Sequence, residues 1–161
     1  MKRSNAAAFL LFAIGAAKAA DPPPLDPTGT YALQPGKERV TIRSNGSSPV
    51  SMLVPTGFAG VIKATRLDRD RVLVDLSGNM GSPSFNQGSF TAILAYENDT
   101  AIHTPLDDDP SCVITLRWAR HAVVVSQTSD DANTACGFGH AVAVDGIYRK
   151  ISSKAPRIST N

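Results

Sequence analysis

Histidines and carboxylates are the residues of this chain that could do chemistry, and their spacing decides which chemistry is open to them. The three histidines, His103, His121 and His140, are isolated from one another in the sequence. A zinc site on strands would place histidines on adjacent positions of one face or join them with cysteine and carboxylate ligands. We therefore predict that the histidines are partly exposed strand residues, and that the protein holds no metal and no cofactor.

Three consecutive carboxylates, Asp107, Asp108 and Asp109, could collect a hard cation together with backbone carbonyls. The alternating carboxylates and the distal glutamate of a calcium loop are missing. A solvated acidic loop is therefore the favoured interpretation, and calcium binding is the alternative.

Hydrolytic motifs are missing as well. The serines of the polar stretch from Gly78 to Gly88, and Ser89 beside it, have no G-x-S-x-G elbow and no histidine nearby. A glycosidase would need a pair of carboxylates. The available ones are Asp75, Glu97, Asp99 and Asp145. Because glutamate is so sparse in this chain, we predict no catalytic residue and no enzyme, with a site assembled only in space as the remaining enzymatic hypothesis.

The first 19 residues have the pattern of a cleaved secretory signal. Lys2 and Arg3 precede an apolar run over residues 6–17, and Ala17-Lys18-Ala19 has the small-x-small spacing of a cleavage site. The run is shorter than the roughly 20 residues that span a bilayer. We predict a signal peptide over 1–19, no membrane anchor, and a periplasmic or secreted protein.

Removal of the signal changes the charge of the protein. The chain has 16 basic and 14 acidic residues, and the loss of Lys2, Arg3 and Lys18 leaves 13 basic residues. The remaining basic residues are scattered among acidic ones, as in the stretch from Arg66 to Arg71. Nucleic-acid binding needs a basic footprint. Nucleic acid is therefore excluded as a partner.

The two cysteines of the chain, Cys112 and Cys136, are most simply interpreted as a disulfide in an exported domain. The closed loop of about 25 residues would stabilise the fold by about 3 kcal/mol in the chain-entropy model. A redox-active thiol is the alternative, but no C-x-x-C motif supports it.

Strand patterns recur every 8 to 12 residues after the signal, and no helical period is sustained, which is typical of an all-β barrel or sandwich. We expect a Pro-rich linker over 20–28, one domain over 29–151 and a polar tail over 152–161. The domain is predicted to be an antiparallel meander that closes into a small β-barrel, lipocalin-like or sandwich-like, by pairing its first strand (Gly29–Leu33) with its last (Ile147–Ile151). A further strand is predicted over His140–Val144. Cys112, Ile114, Leu116 and Trp118 share one face of another strand, so Trp118 is expected to be buried near the disulfide.

The last third of the chain contains a Cys-initiated strand, a second apolar strand, a Cys-Gly turn (Cys136-Gly137-Phe138-Gly139) and a Gly-x-Tyr-x-basic strand (Asp145 to Lys150). This succession resembles a module of small exported bacterial proteins, most of them of unassigned function. Some members lie beside domains labelled as lysozyme inhibitors. The resemblance covers mainly residues 112–150. It implies a β fold in the cell envelope and transfers no active-site residue.

Three functions stay open from the sequence. The first is an exported, non-enzymatic envelope protein that binds another protein, for instance as an inhibitor or immunity factor of a muralytic, wall-degrading enzyme. The second is a small barrel that binds an apolar small molecule in its interior, although the low aromatic content of 6% favours a filled interior. The third is the enzyme with a spatially assembled site.

Overall fold

Alternation of apolar and polar residues produces the strands of this protein, whose computed structural model describes residues 23–42, 50–81, 84–130 and 135–159. The all-β class is confirmed. The described strands are β1 Gly29–Leu33, β2 Gly36–Ile42, β3 Val50–Thr56, β4 Ala59–Arg66, β5 Arg71–Asn79, β6 Gln87–Ala95, β7 Thr100–His103, β8 Val113–Ala119, β9 Ala122–Thr128 and β10 Gly146–Ser152. A single 3-10 turn covers Ala135–Gly137, and no helix within the described ranges has the length and apolarity to cross a bilayer. The predicted signal peptide over 1–19 lies outside the described residues.

Eight strands form one antiparallel sheet in the order β6-β5-β4-β1-β10-β9-β8-β7, which curls into a nearly closed barrel. The predicted pairing of the first strand with the last is confirmed, since Tyr31 lies opposite Lys150. The two remaining strands, β2 and β3, form a separate hairpin between β1 and β4.

The opening of the barrel lies between β6 and β7, which follow one another in the chain. A tight turn joins them at Asn98 and Asp99, both at positive φ, and an isolated bridge pairs Glu97 with Thr100. Beyond this bridge the two strands are not neighbours in the sheet. We call this opening the β6–β7 seam.

The strand connections divide between two ends of the barrel. The proline end comprises residues 23–28 and the turns 67–70, 96–99 and 120–121. The disulfide end comprises the loops 80–86, 104–112 and 129–145, together with the connection from β1 to β4 that contains the hairpin β2–β3. This division follows from the antiparallel order, because successive connections alternate between the ends.

The interior of the barrel is filled by side chains. The strands contribute inward-facing residues that are almost inaccessible to solvent and form one apolar cluster. They are Tyr31, Ile62, Ala64, Val72, Val74, Leu76, Leu94, Tyr96, Ala101, Ile114, Leu116, Trp118, Val123, Val125 and Tyr148. The filled interior expected from the sequence is therefore found in the described part of the chain.

Two Gly-x-Tyr segments, Gly29-Thr30-Tyr31 and Gly146-Ile147-Tyr148, adopt the same local structure in the first and last strands. The glycines have φ values of 149° and 148°, a region that other residues rarely adopt. Each tyrosine is buried and donates its hydroxyl proton to the carbonyl four residues earlier, at 2.9 Å. Burial raises the pKa of Tyr31 to about 12, and that of Tyr148 is also raised by burial. The shared segment is therefore a repeated anchor for the pair of strands that joins the two ends of the chain.

The segment Pro23–Thr28 covers the proline end, so this part of the predicted linker is not a free connector. Pro27 is buried, and the Leu25 amide donates a hydrogen bond to Asp99 Oδ1 at 2.7 Å. The Leu25 carbonyl accepts a hydrogen bond from the Tyr96 hydroxyl at 2.9 Å. The sequence pattern missed this packing because proline-rich composition reports the local backbone preference and not its tertiary contacts.

The predicted strand over His140–Val144 is wrong, since these residues lie in the loop 129–145. The loop folds across the disulfide end, and Phe138, Val142 and Val144 are buried against the barrel. The Gly139 amide holds it to β6 through the Gln87 carbonyl at 2.9 Å. Alternating apolar residues predict a strand, but here their buried side chains close one end of the barrel.

Gly88 lies inside β6 and makes this closure possible. The predicted loop 78–88 is shorter than expected, because Gly78 and Gly88 pair across β5 and β6. A Cβ atom at Gly88 would lie 2.8 Å from the Phe138 ring and 2.9 Å from Val142. The missing side chain thus leaves room for the loop residues that fill the barrel end.

Trp118 is buried as predicted, with 4% of its surface exposed, and packs edge-on against Tyr96 at 5.4 Å between ring centroids. Its indole N–H makes no hydrogen bond within the described residues. The indole lies near the Tyr31 hydroxyl and lowers the pKa of Tyr31, but the larger effect of burial raises it. The expected proximity to the disulfide is wrong. Trp118 lies six positions beyond Cys112, about 20 Å along an extended strand, so Trp118 is near the end of β8 and the disulfide is beyond its beginning.

Candidate functional site

The disulfide between Cys112 and Cys136 joins two loops of the disulfide end, with 5.1 Å between the Cα atoms. The predicted pairing is therefore confirmed. It connects the loop 104–112 to the loop 129–145 across a sequence separation of 24 residues. Neither loop can move away from the other without straining this bond, so the surface that they form is preorganised.

Asp109 holds the same two loops together through its carboxylate. Oδ1 accepts hydrogen bonds from the amide and the hydroxyl of Ser111, at 3.0 and 2.6 Å. Oδ2 accepts hydrogen bonds from the Ser129 hydroxyl at 2.7 Å and the Cys136 amide at 2.9 Å. Donation by Cys136, then by Ser111 and Ser129, holds the pKa of Asp109 well below its usual range.

Asp107 and Asp108 have a different role from Asp109. Both are exposed, and no hydrogen bond or ion pair engages either carboxylate among the described residues. Asp108 lies against Gly137, where an added Cβ would come within 2.8 Å of the Asp108 side chain. The acidic loop predicted from the sequence therefore divides into one structural carboxylate and two that face solvent.

A cleft of about 530 Å³ lies where the β6–β7 seam reaches the disulfide end. Its lining comes from β6, from the end of β7 with the loop that follows, and from the disulfide loop. The lining residues are Ser89, Phe90, Thr91, His103, Thr104, Pro105, Leu106, Asp107, Asp108, Cys136, Gly137 and Phe138. We call it the seam cleft.

Two stacked rings lie in the seam cleft. Phe90 and His103 come from the inner faces of β6 and β7, with their ring centroids 4.0 Å apart and their planes inclined by 14°. Burial lowers the pKa of His103, so its imidazole is neutral at neutral pH. The stack is a flat, uncharged aromatic surface beside two exposed carboxylates.

Two large apolar side chains are exposed on the loops of the disulfide end. Leu106 lines the seam cleft with 71% of its surface exposed, and Phe85 on the loop 80–86 is 63% exposed. Aromatic side chains are enriched in protein interfaces, and an exposed aliphatic side chain beside them adds apolar contact area.

The loops 80–86, 104–112 and 129–145 of the disulfide end carry charge of one sign. Their described residues include five aspartates and no lysine or arginine. At the proline end, by contrast, basic and acidic residues are mixed, as in the ion pair between Arg71 and Asp68. These loops therefore form an acidic surface on a nearly neutral protein.

The three histidines do not form a common site. His103 lies in the seam cleft, His121 is exposed in the turn between β8 and β9 at the proline end, and His140 is exposed in the loop 129–145. Over the described ranges, one group of three metal-ligand side chains lies close together, formed by Asp109, Cys112 and Cys136. Its two sulfurs are bonded to each other and its carboxylate is engaged, so this group offers no thiolate ligand.

The carboxylates considered for glycosidic chemistry lie on different parts of the barrel. Asp75, on the outer face of β5, pairs with Lys63 at 3.1 Å. Asp99 is engaged at the proline end, and Asp145 accepts a hydrogen bond from the Gln127 amide at the disulfide end. Glu97 is exposed beside Asp99. Of the serines, Ser84 and Ser89 are exposed, and Ser82 lies outside the described residues.

A larger cleft, of about 730 Å³, lies at the proline end between Pro23–Pro24 and the turns 67–70 and 96–99. Tyr96 is the single aromatic residue in its lining, and its charged residues are of both signs. Size alone would favour it, but the seam cleft combines stacked rings, exposed apolar residues and charge of one sign, which gives it more capacity for recognition.

The seam cleft could not be predicted from the sequence pattern. Counting outward from the Glu97–Thr100 bridge places His103 opposite Leu94 and not opposite Phe90, so a regular hairpin register does not predict the stack. The contribution of Phe138 depends on how the loop 129–145 folds over the barrel.

Comparisons with protein-family models, with functionally characterised proteins and with solved structures find no match to this chain.

Proposed function

We propose that this protein is an exported, non-enzymatic envelope protein that binds another protein through its disulfide end. The observation that carries the proposal is the combination of a filled interior with a preorganised loop surface. Side chains occupy the barrel interior, and loop residues cover both ends. We therefore assign the binding of a partner to the outer surface of the barrel and not to its interior.

The loops of the disulfide end are suited to this task. A disulfide and the hydrogen bonds of Asp109 fix two of them, so little conformational entropy is lost when a partner binds. Leu106 and Phe85 offer apolar anchors, and the surrounding aspartates offer polar contacts. In this proposal the partner is an enzyme that degrades the cell wall, and binding inhibits it. This choice of partner follows from the resemblance of residues 112–150 to the exported β-module, some members of which lie beside domains labelled as lysozyme inhibitors.

The test is inhibition of a panel of lysozyme-type and other wall hydrolases by the protein lacking residues 1–19. We expect stoichiometric inhibition of at least one enzyme. Replacing Phe85 and Leu106 by serine should weaken it. Ile151→Ser provides the matched control, because Ile151 is 64% exposed near the last residue of β10, at the end of that strand opposite to these loops.

Lack of inhibition across the panel, together with a small molecule retained in native mass spectra, would contradict the proposal and favour an apolar-ligand carrier. Equal loss of inhibition in the Ile151→Ser control would contradict the assignment of binding to the disulfide end.

A further inference from the structure

The seam cleft has a chemistry that selects one kind of side chain. Its aromatic surface is the Phe90–His103 stack, and Asp107 and Asp108 lie in its wall as exposed carboxylates. Aromatic faces attract cations, and guanidinium groups in particular stack flat on them. Carboxylates bind the same group through paired hydrogen bonds. The cleft therefore combines aromatic rings and carboxylates, the two kinds of group that attract a planar cation.

We propose that the seam cleft receives an arginine side chain of the partner protein. The inference rests on the proposed function and specifies the partner as a protein that presents an arginine on a basic surface. The neutral His103 imidazole does not repel the guanidinium group, and Leu106 can cover its aliphatic stem.

The electrostatic potential of the acidic loops favours a basic partner at distances beyond direct contact. Five aspartates, without a lysine or arginine, lie among the described residues of the loops 80–86, 104–112 and 129–145 and produce a negative potential around these loops. Such a potential accelerates the encounter with a cationic surface and orients it before contact. The connection from β1 to β4, which contains Lys37 and Arg39 in the hairpin β2–β3, also leaves from this end, but it lies in the middle of the strand order, whereas the seam lies between the two outermost strands.

The edge of β6 supplies contacts for the main chain around the arginine. Ser89–Thr91 lines the cleft, and β6 is hydrogen-bonded to β5 on one side only. Strand β6 contains no charged residue and no proline, and it pairs with β5 without a bulge. Natural edge strands usually carry such protective features. The unprotected edge is therefore available to an extended segment on either side of the arginine.

The first experiment uses two peptides that differ only in charge, acetyl-Gly-Arg-Gly-amide and the same peptide with citrulline in place of arginine. They are titrated into isotope-labelled protein and followed by NMR. We expect the arginine peptide to shift the ring signals of Phe90 and His103, and the citrulline peptide to have little effect. Equal shifts with both peptides, or shifts confined to the proline end, would overturn the inference.

The second experiment removes charge without changing shape. Asp107→Asn with Asp108→Asn should raise the dissociation constant of the arginine peptide about five-fold, as expected for two exposed ion pairs. The matched control is Asp70→Asn with Glu97→Gln, which removes the same charge from exposed residues at the proline end. An equal loss in the control would show general attraction to a negative protein and would overturn the site.

The same two double variants separate this inference from the proposed function. If the protein inhibits a hydrolase and the Asp107/Asp108 variant inhibits it equally well, the proposed function stands and the arginine site is wrong. If no hydrolase is inhibited while the arginine peptide still binds in the seam cleft, the assigned partner class is wrong and the arginine site stands.

Discussion

Asp109 stabilises the fold through its ionised carboxylate. Four hydrogen bonds from Ser111, Ser129 and Cys136 favour its ionised form and lower its pKa in the folded state. In the unfolded chain the pKa returns to about 3.9. Its stabilising contribution is therefore complete above that value and is lost as the pH falls through the folded-state pKa.

We predict that Asp109→Asn lowers the free energy of unfolding at neutral pH and weakens its dependence on pH below about 4. An amide nitrogen cannot accept the hydrogen bonds that reach one carboxylate oxygen. Denaturant unfolding across an acid pH series measures both effects. Asp107→Asn is the control, since that exposed carboxylate has no partner among the described residues. If the free energy of unfolding of Asp109→Asn depends on pH below about 4 as strongly as that of the native protein, the assigned role is contradicted.

Tyr31 and Tyr148 make the same buried hydrogen bond, so their substitutions can be compared directly. Each is buried and donates to the carbonyl four residues before it. We predict that Tyr31→Phe and Tyr148→Phe each lower the free energy of unfolding by about 1–3 kcal/mol, since each leaves a buried carbonyl without its partner. Thermal or denaturant unfolding measures the effect. A large loss in one variant and none in the other would show that the shared geometry does not have a shared energetic role.

Among the elements, strand β6 and the loop 129–145 depend on each other at Gly88. We predict that Gly88→Ala lowers the free energy of unfolding by about 1–3 kcal/mol, because the new methyl group would overlap Phe138 and Val142. Ser89→Ala, one residue further and exposed on the outer face, should change it by less than about 0.5 kcal/mol.

A double variant tests the mechanism of this effect. With Phe138→Ala in place, Gly88→Ala should have a smaller additional effect, since the ring is gone and only the overlap with Val142 remains. Additive effects in denaturant unfolding would show that Gly88 is required for another reason, such as its backbone conformation.

At the scale of the whole molecule, the disulfide restrains the loop surface more than it shapes the barrel. Replacing Cys112 and Cys136 by alanine should lower the free energy of unfolding by about 3 kcal/mol, mainly through the entropy of the unfolded chain. The far-UV circular dichroism should stay that of a β protein. A reductant should destabilise the native protein in denaturant unfolding and leave the double variant unaffected.

Free thiols in the purified oxidised protein, or loss of the β spectrum in the double variant, would contradict this account. The first would remove the bond itself. The second would show that the apolar cluster is insufficient to hold the barrel together.

The sequence by itself determined the class of the fold and most of its strands, because strand periodicity is local. Val72, Val74 and Leu76 share one face of their strand, and the structure buries all three. The disulfide followed from there being two cysteines, and the pairing of first and last strands followed from the need to remove exposed edges. These features depend on short-range pattern or simple counting.

Tertiary structure alone decided where the barrel stays open and what covers its ends. Pro23–Thr28 and the loop 129–145 pack through contacts between residues distant in sequence, such as Leu25 with Asp99, which no local pattern encodes. The seam cleft arises for the same reason, since β6, β7 and the disulfide loop meet there only after the sheet has curled. Its acidic residues were visible in the sequence, but their division into a structural Asp109 and exposed Asp107 and Asp108 depended on which hydrogen-bond donors the fold brought to each carboxylate.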